Sequence, residues 1–105
     1  HGNTVVSLKE DDASFFRIDV AKGKAWGCVA MGESSRGLGD KAKSNPAFVN
    51  ALTVTSKGRI LPNPGAVLIK ENNIVIGSVG ISGDKGENDE KICIEAVKKN
   101  GLDTD

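Results

Sequence analysis

The residues that most invite a chemical reading are Gly80, Gly83 and Gly86, spaced by three between an apolar run and a helical pattern. A glycine-rich junction of that kind is where backbone N–H groups cradle phosphates. The spacing matches neither the dinucleotide fingerprint nor the Walker pattern. Asp84, Glu87, Asp89 and Glu90 crowd the same helix start, where their charge would repel an anion. A tight turn is the better reading. The acids do not form a calcium loop either, because Gly86 stands where that loop needs Asp or Asn, and Asp89 where it needs Gly. They read as helix caps.

His1 is the one histidine, and its terminal position also suits a processing or expression remnant. A multi-histidine metal site or a Ser-His-Asp triad therefore has no sequence support. Cys28 and Cys93 lie far apart, form no CxxC pair and each sit inside an apolar helical pattern. They read as buried thiols acting as small hydrophobes, with a reactive thiol as the alternative. Arg17 and Asp19 read as helix surface charges. Phe15 and Phe16 are adjacent, so one is expected to point inward and the other toward a subunit contact.

These residues need a fold to position them. The chain has 105 residues, the size of one domain, long enough to bury roughly two-thirds of its unfolded surface. Its formal net charge of +0 argues against a nucleic-acid partner, which requires clustered positive charge. One Trp, three Phe and no Tyr give no base-stacking platform. Near-zero charge also permits self-association. No run approaches the ~18 apolar residues of a membrane-spanning helix, and no signal segment is visible. The expected compartment is the cytoplasm, unless a leader precedes His1.

Thr4–Lys9 reads as a short strand following a turn at Gly2-Asn3. Glu10-Asp11-Asp12 suits a helix N-terminus just before Ala13. Ile18, Ala21, Ala25, Cys28 and Val29 share one helical face. Gly23 and Gly27 weaken that helix and suggest close packing against a sheet. Gly32 and Gly37-Leu38-Gly39 end the segment, Lys41–Ser44 is a polar linker, and Asn45–Leu52 is a short helix with Pro46 at its first position. Ala66–Lys70 and Ile74–Ile81 flank an Asn-bearing turn and read as a hairpin. Both runs are apolar without alternation, so both faces of the hairpin should be covered. A last helix runs from about Glu87 to Lys99, capped by Asp84 or Gly86, with Ile92, Cys93, Ala96 and Val97 on one face.

The hairpin from Gly65, followed by Gly77-x-Val79-Gly80-Ile81-Ser82-Gly83 and Glu87-x-Asp89-Glu90, resembles the GlcG/HbpS family, which includes the C-terminal domain of PduO-type proteins. Asp12-Ala13, Asp19-Val20-Ala21 and Lys24-Ala25 are similar to that family's Lys-Ala helix. The resemblance covers nearly the whole chain. It implies an α+β, profilin-like fold: an antiparallel sheet with helices on both faces, in three layers. It also implies a homo-oligomer, a dimer or higher, that binds a small molecule, haem being one candidate.

The chain departs from the family pattern in three places. Pro64-Gly65-Ala66-Val67-Leu68 stands for Pro-Gly-Gly-x-Pro, and Trp26-Gly27 replaces a small hydroxyl residue after Lys-Ala. The family's first helix and strand have no counterpart before Gly2, so residues 1–105 read as a single domain, truncated at its N-terminus or completed by a partner subunit. Haem would need an axial ligand from His1, Met31, Cys28 or Cys93.

Two accounts of Lys24 stand open: a snorkelling stem with a solvated head, or an ammonium at a pocket mouth holding a carboxylate or propionate. In the second account Asn63, Pro64 and Gly65 form the opposite wall. Three functional readings follow: an oligomeric binding module, an enzyme using Lys24, Asp19 or Cys28, or an accessory subunit. The absence of paired catalytic groups favours the first.

Overall fold

The computed structural model describes residues 2–105, and His1, with its proposed role as a haem ligand, lies outside them. At the centre is the expected antiparallel hairpin of β1 (Ala66–Glu71) and β2 (Ile74–Gly80). Asn72 and Asn73 form its turn with φ of 50° and 65°, the left-handed pair that a two-residue hairpin loop demands and Asn tolerates. Ile69 pairs with Gly77 and Lys70 with Val75, so a bulge leaves Ile76 unmatched.

Helices α1 (Phe16–Met31) and α4 (Gly86–Lys99) cover opposite faces of this ribbon. Ala66 and Leu68 pack with Cys28 and Ala25 of α1, whereas Val67 clusters with Cys93 and Val97 of α4. Successive β1 side chains thus enter different layers, which is why the strand is apolar without alternation. The architecture is α+β, helix–sheet–helix. Burying Leu68 completely supplies on the order of 1.5–3 kcal/mol. The approach is tight at Gly80, where a Cβ would stand 2.6 Å from the carbonyl oxygen of Ala21 on α1.

The expected cover extends over β1 but not over all of β2. Ile74, Val75 and Ile76 remain 66%, 36% and 52% exposed, because the two helices lie over β1 and the Gly80 end of β2. Among the described residues no strand pairs with the outer edge of β2.

Several local expectations change. Thr4–Lys9 is not a strand: it is exposed throughout and, with no neighbour to take its backbone hydrogen bonds, stays irregular. Glu10 accepts from Ala13 N in a turn, and α1 begins at Phe16, with Asp19 the acid of its first turn. Phe15 and Phe16 are both exposed rather than divided between core and surface. Gly23 and Gly27 do not face the sheet; they admit Leu61, Ile60 and Leu38 against the other side of α1.

Gly32, at φ 70°, ends α1 as expected. Gly37–Gly39 and the supposed linker Lys41–Ser44 instead belong to α2 (Ser35–Ser44), capped by the Ser34 hydroxyl, which accepts from Gly37 N at 3.5 Å. Leu38 anchors α2 in the core, and Lys41 and Lys43 suit the negative end of its dipole. α3 (Pro46–Thr55) carries Pro46 at its start and runs about a turn beyond Leu52. Asp84 makes no side-chain cap to α4, and the cap position is Lys85 rather than Gly86, which is the first residue of the helix.

Candidate functional site

Lys24 sits in the middle of α1 on the face turned to the hairpin and α4, and only 3% of its surface reaches solvent. Its ammonium donates to the Ile81 carbonyl at 3.1 Å and lies 3.6 Å from Asp89 Oδ2. Neither a snorkelling head nor a pocket mouth describes that position: the charge is interior. Asp89 is equally buried, and its carboxylate accepts from Gly83 N and Asp84 N at 3.2–3.4 Å. The acid read as a cap does not cap α4, whose own amides it leaves alone. It reaches back to the turn while also neutralising Lys24.

Gly65 lies directly against this pair. Its φ is 133°, and a Cβ there would stand 2.6 Å from Lys24 Nζ and 3.0 Å from the Ile81 oxygen. Its carbonyl accepts from Ile81 N at 2.9 Å and from the Cys93 thiol at 3.4 Å. The structure therefore brings Lys24 and Gly65 together. Asn63 and Pro64 run on over the start of α4, close enough that a Cβ at Gly86 would meet the Pro64 oxygen at 2.7 Å.

Asn63 and Pro64 face a different space from Lys24. They line a cleft of about 290 Å³, together with Arg36, Asp40 and Lys43 of α2 and Glu87 of α4. Arg36 Nε and Nη2 clamp Glu90 with bonds of 2.6–3.0 Å, tying α2 to α4. That pair raises the Arg36 pKa and leaves its Nη1 without a hydrogen bond among the described residues. A second cavity, about 240 Å³, is apolar, lined by Ile69, Val79, Val97 and Leu102 between the hairpin and α4.

The thiols are not poised for chemistry. Burial, with the Asp105 charge second, pushes Cys28 up to about 12; burial, with Asp89 second, pushes Cys93 up to about 11. Near neutral pH both remain protonated, so neither supplies a thiolate. Among the described residues no three His, Cys, Asp or Glu side chains gather to hold a metal ion.

Sequence reasoning did not find Arg36, Asp89 or Glu90 as interior or cleft-forming groups. A lysine in an apolar helix face was the one sign that a buried acid must exist. Nothing in the spacing said that Arg36 would be on a helix.

The fold and its buried charges accompany a clear kinship. The family model described as haem degrading protein HbpS-like matches residues 1–98. The chain belongs to the HbpS-like family. Over 97 residues this HbpS-like chain is 30% identical to the corrinoid adenosyltransferase PduO of Salmonella typhimurium, covering 92% of the chain and 29% of PduO. It is 28% identical, over 96 residues, to an uncharacterized 15.0 kDa protein of the dhaT–dhaS intergenic region of Citrobacter freundii, covering 91% of the chain and 67% of that protein. A crystal structure of a PduOC–haem complex superposes with a TM-score of 0.87 at 29% identity, over 99% of this chain and 75% of the other. The expected α+β architecture of the family is thus present. The chain spans under a third of the length of PduO. No helix among the described residues is long and apolar enough to cross a membrane.

Proposed function

We propose that this HbpS-like chain is a binding module rather than a bond-making enzyme, with haem as its ligand and a homo-oligomer as its working form. The observation that carries the reading is the haem complex of a structural neighbour that aligns over 99% of the chain. The interior chemistry agrees with binding: the buried acids Asp89 and Glu90 are engaged by Lys24 and Arg36, and both thiols are protonated.

A haem enclosed within one copy does not fit the described residues. The charged cleft, at about 290 Å³, lies at the foot of the range for small-molecule sites. Of the expected axial ligands within the described residues, Cys28 and Cys93 are fully buried, which leaves half-buried Met31. The reading therefore places haem on the exterior, against the apolar surface that Ile74–Ile76 expose, with a second copy supplying the other wall. The uncharged outer edge of β2 supports that assembly, since edges that stay single are usually guarded by Lys or Pro.

Titration of the purified chain with haemin, followed by absorbance and sizing, tests both parts. The expected result is a saturating Soret shift without thiolate character, on a species of at least two copies. A monomer with an unshifted haemin spectrum would sink the reading.

The cleft supports a second reading, that of a carboxylated metabolite. Arg36 and Lys43 stand beside Asn63 and Pro64, the proposed ligand wall, while Lys24 and Gly65 brace that wall from within. Thermal-shift measurements with acetate, succinate and citrate should raise Tm for at least one of them, and the rise should vanish in Asn63→Ala. Flat curves with all three would remove the cleft from consideration.

A further inference from the structure

Beyond α4 the chain reverses at Gly101 and runs back along the outer edge of β1. Asp103 exchanges two backbone bonds with Lys70, its N–H donating at 2.9 Å and its carbonyl accepting at 2.7 Å. The Asp105 side chain then divides between two elements. Oδ2 accepts from Ser34 N, at the cap of α2, at 2.5 Å, and Oδ1 accepts from Leu68 N of β1 at 3.2 Å. Directly beneath, the Ser35 hydroxyl accepts from Ala66 N at 2.9 Å and donates to Ala66 O at 3.2 Å. Cys28, fully buried, packs against Ala66 and Leu68 at the same seam.

We infer that Asp103–Asp105 is a strap across the seam between α2 and β1, and that its release is what makes Cys28 open to modification. The strap holds by few contacts. Asp103 and Asp105 are exposed, and the segment brings no apolar side chain into the core. Two backbone bonds and one shared carboxylate keep it down, and the Asp105 carboxylate ties the cap of α2 to the β1 edge beside the two bonds of the Ser35 hydroxyl. Without it, Ser34 N and Leu68 N lose a charged acceptor, and the cover over Ser35 and Cys28 loosens locally. Cys93 lies on the other face of the hairpin under α4, where Leu102 joins its cluster but none of Asp103–Asp105 does. It serves as an internal reference. The inference does not depend on the haem or carboxylate readings.

The test is alkylation of the folded, full chain with iodoacetamide, with each thiol followed by peptide mass. The sulphur forms a thioether as iodide and the thiol proton leave. In Asp105→Ala, Cys28 should label about 10- to 100-fold faster than in the parent, the span expected for loss of a charge-assisted bond, with Cys93 unchanged. Asp103→Pro removes the N–H donated to Lys70 O and should give the same selectivity. Equal acceleration of both thiols would mean that the whole fold opens, and an unchanged Cys28 rate in both variants would mean that the segment covers nothing. Either result overturns the inference.

Discussion

Lys24→Met will lower the free energy of unfolding by about 3–5 kcal/mol, because it strands the Asp89 carboxylate in the interior without a counter-charge. Gly83 N and Asp84 N would still donate to Asp89, but two neutral amides do not replace a buried cation. The Ile81 carbonyl also loses a donor. A domain of this size has roughly 5–15 kcal/mol in total, so the variant should be marginal at room temperature. Urea unfolding of parent and variant measures the loss. The double variant Lys24→Met/Asp89→Leu, which removes both charges, should recover much of it, since apolar replacement of a whole buried pair is often neutral or better. A single variant within about 1 kcal/mol of the parent would show that Asp89 finds water or another partner.

Gly65→Ala is expected to cost about 2–6 kcal/mol, from two separate sources. A φ of 133° belongs to a region that L residues rarely enter, which accounts for about 1–3 of it. The added methyl would also press on Lys24 Nζ and on the Ile81 oxygen, and overpacking of that kind costs about as much again. The two sources can be told apart. In a Lys24→Ala background the side chain beyond Cβ is gone, so the Gly65→Ala penalty should shrink toward the backbone component, a non-additivity that residues in contact show. An unchanged penalty would place the whole cost in the backbone and the Ile81 carbonyl.

The parts legible in the sequence were those in which one local signal decides the outcome. Asn72-Asn73 between β-rich runs could hardly be other than a hairpin turn, and the unbroken apolar run Ala66–Ile69 required helices on both sides. Pro46 fixed the start of α3 by its own φ. The failures share a physical cause: the deciding interaction was with something distant in the chain. α2 looked like glycines and a linker because its support is tertiary, from Leu38 in the core and the clamp of Arg36 on Glu90, 54 positions away. Thr4–Lys9 had strand chemistry but no strand beside it, and β propensity alone does not supply backbone partners.

The candidate site divided in the same way. Asn63 and Pro64 reach the cleft and Gly65 does not, since its conformation turns the chain inward against Lys24. The sequence marked Lys24 as unusual for an apolar helix face. It could not say that Asp89, 65 positions on, was the reason, because the acids after Gly83 look alike until a fold buries some and exposes others.

The interior lysine–aspartate contact also bears on how such a chain can diverge. A replacement at either position alone is expected to pass through a form of marginal stability, so exchange of the two together is favoured. Arg36 and Glu90 face a lower barrier, since the half-exposed guanidinium leaves room for solvent to stand in for it. Drift in descendants of this chain should therefore be free along the α2 side and locked at the Lys24–Asp89 pair.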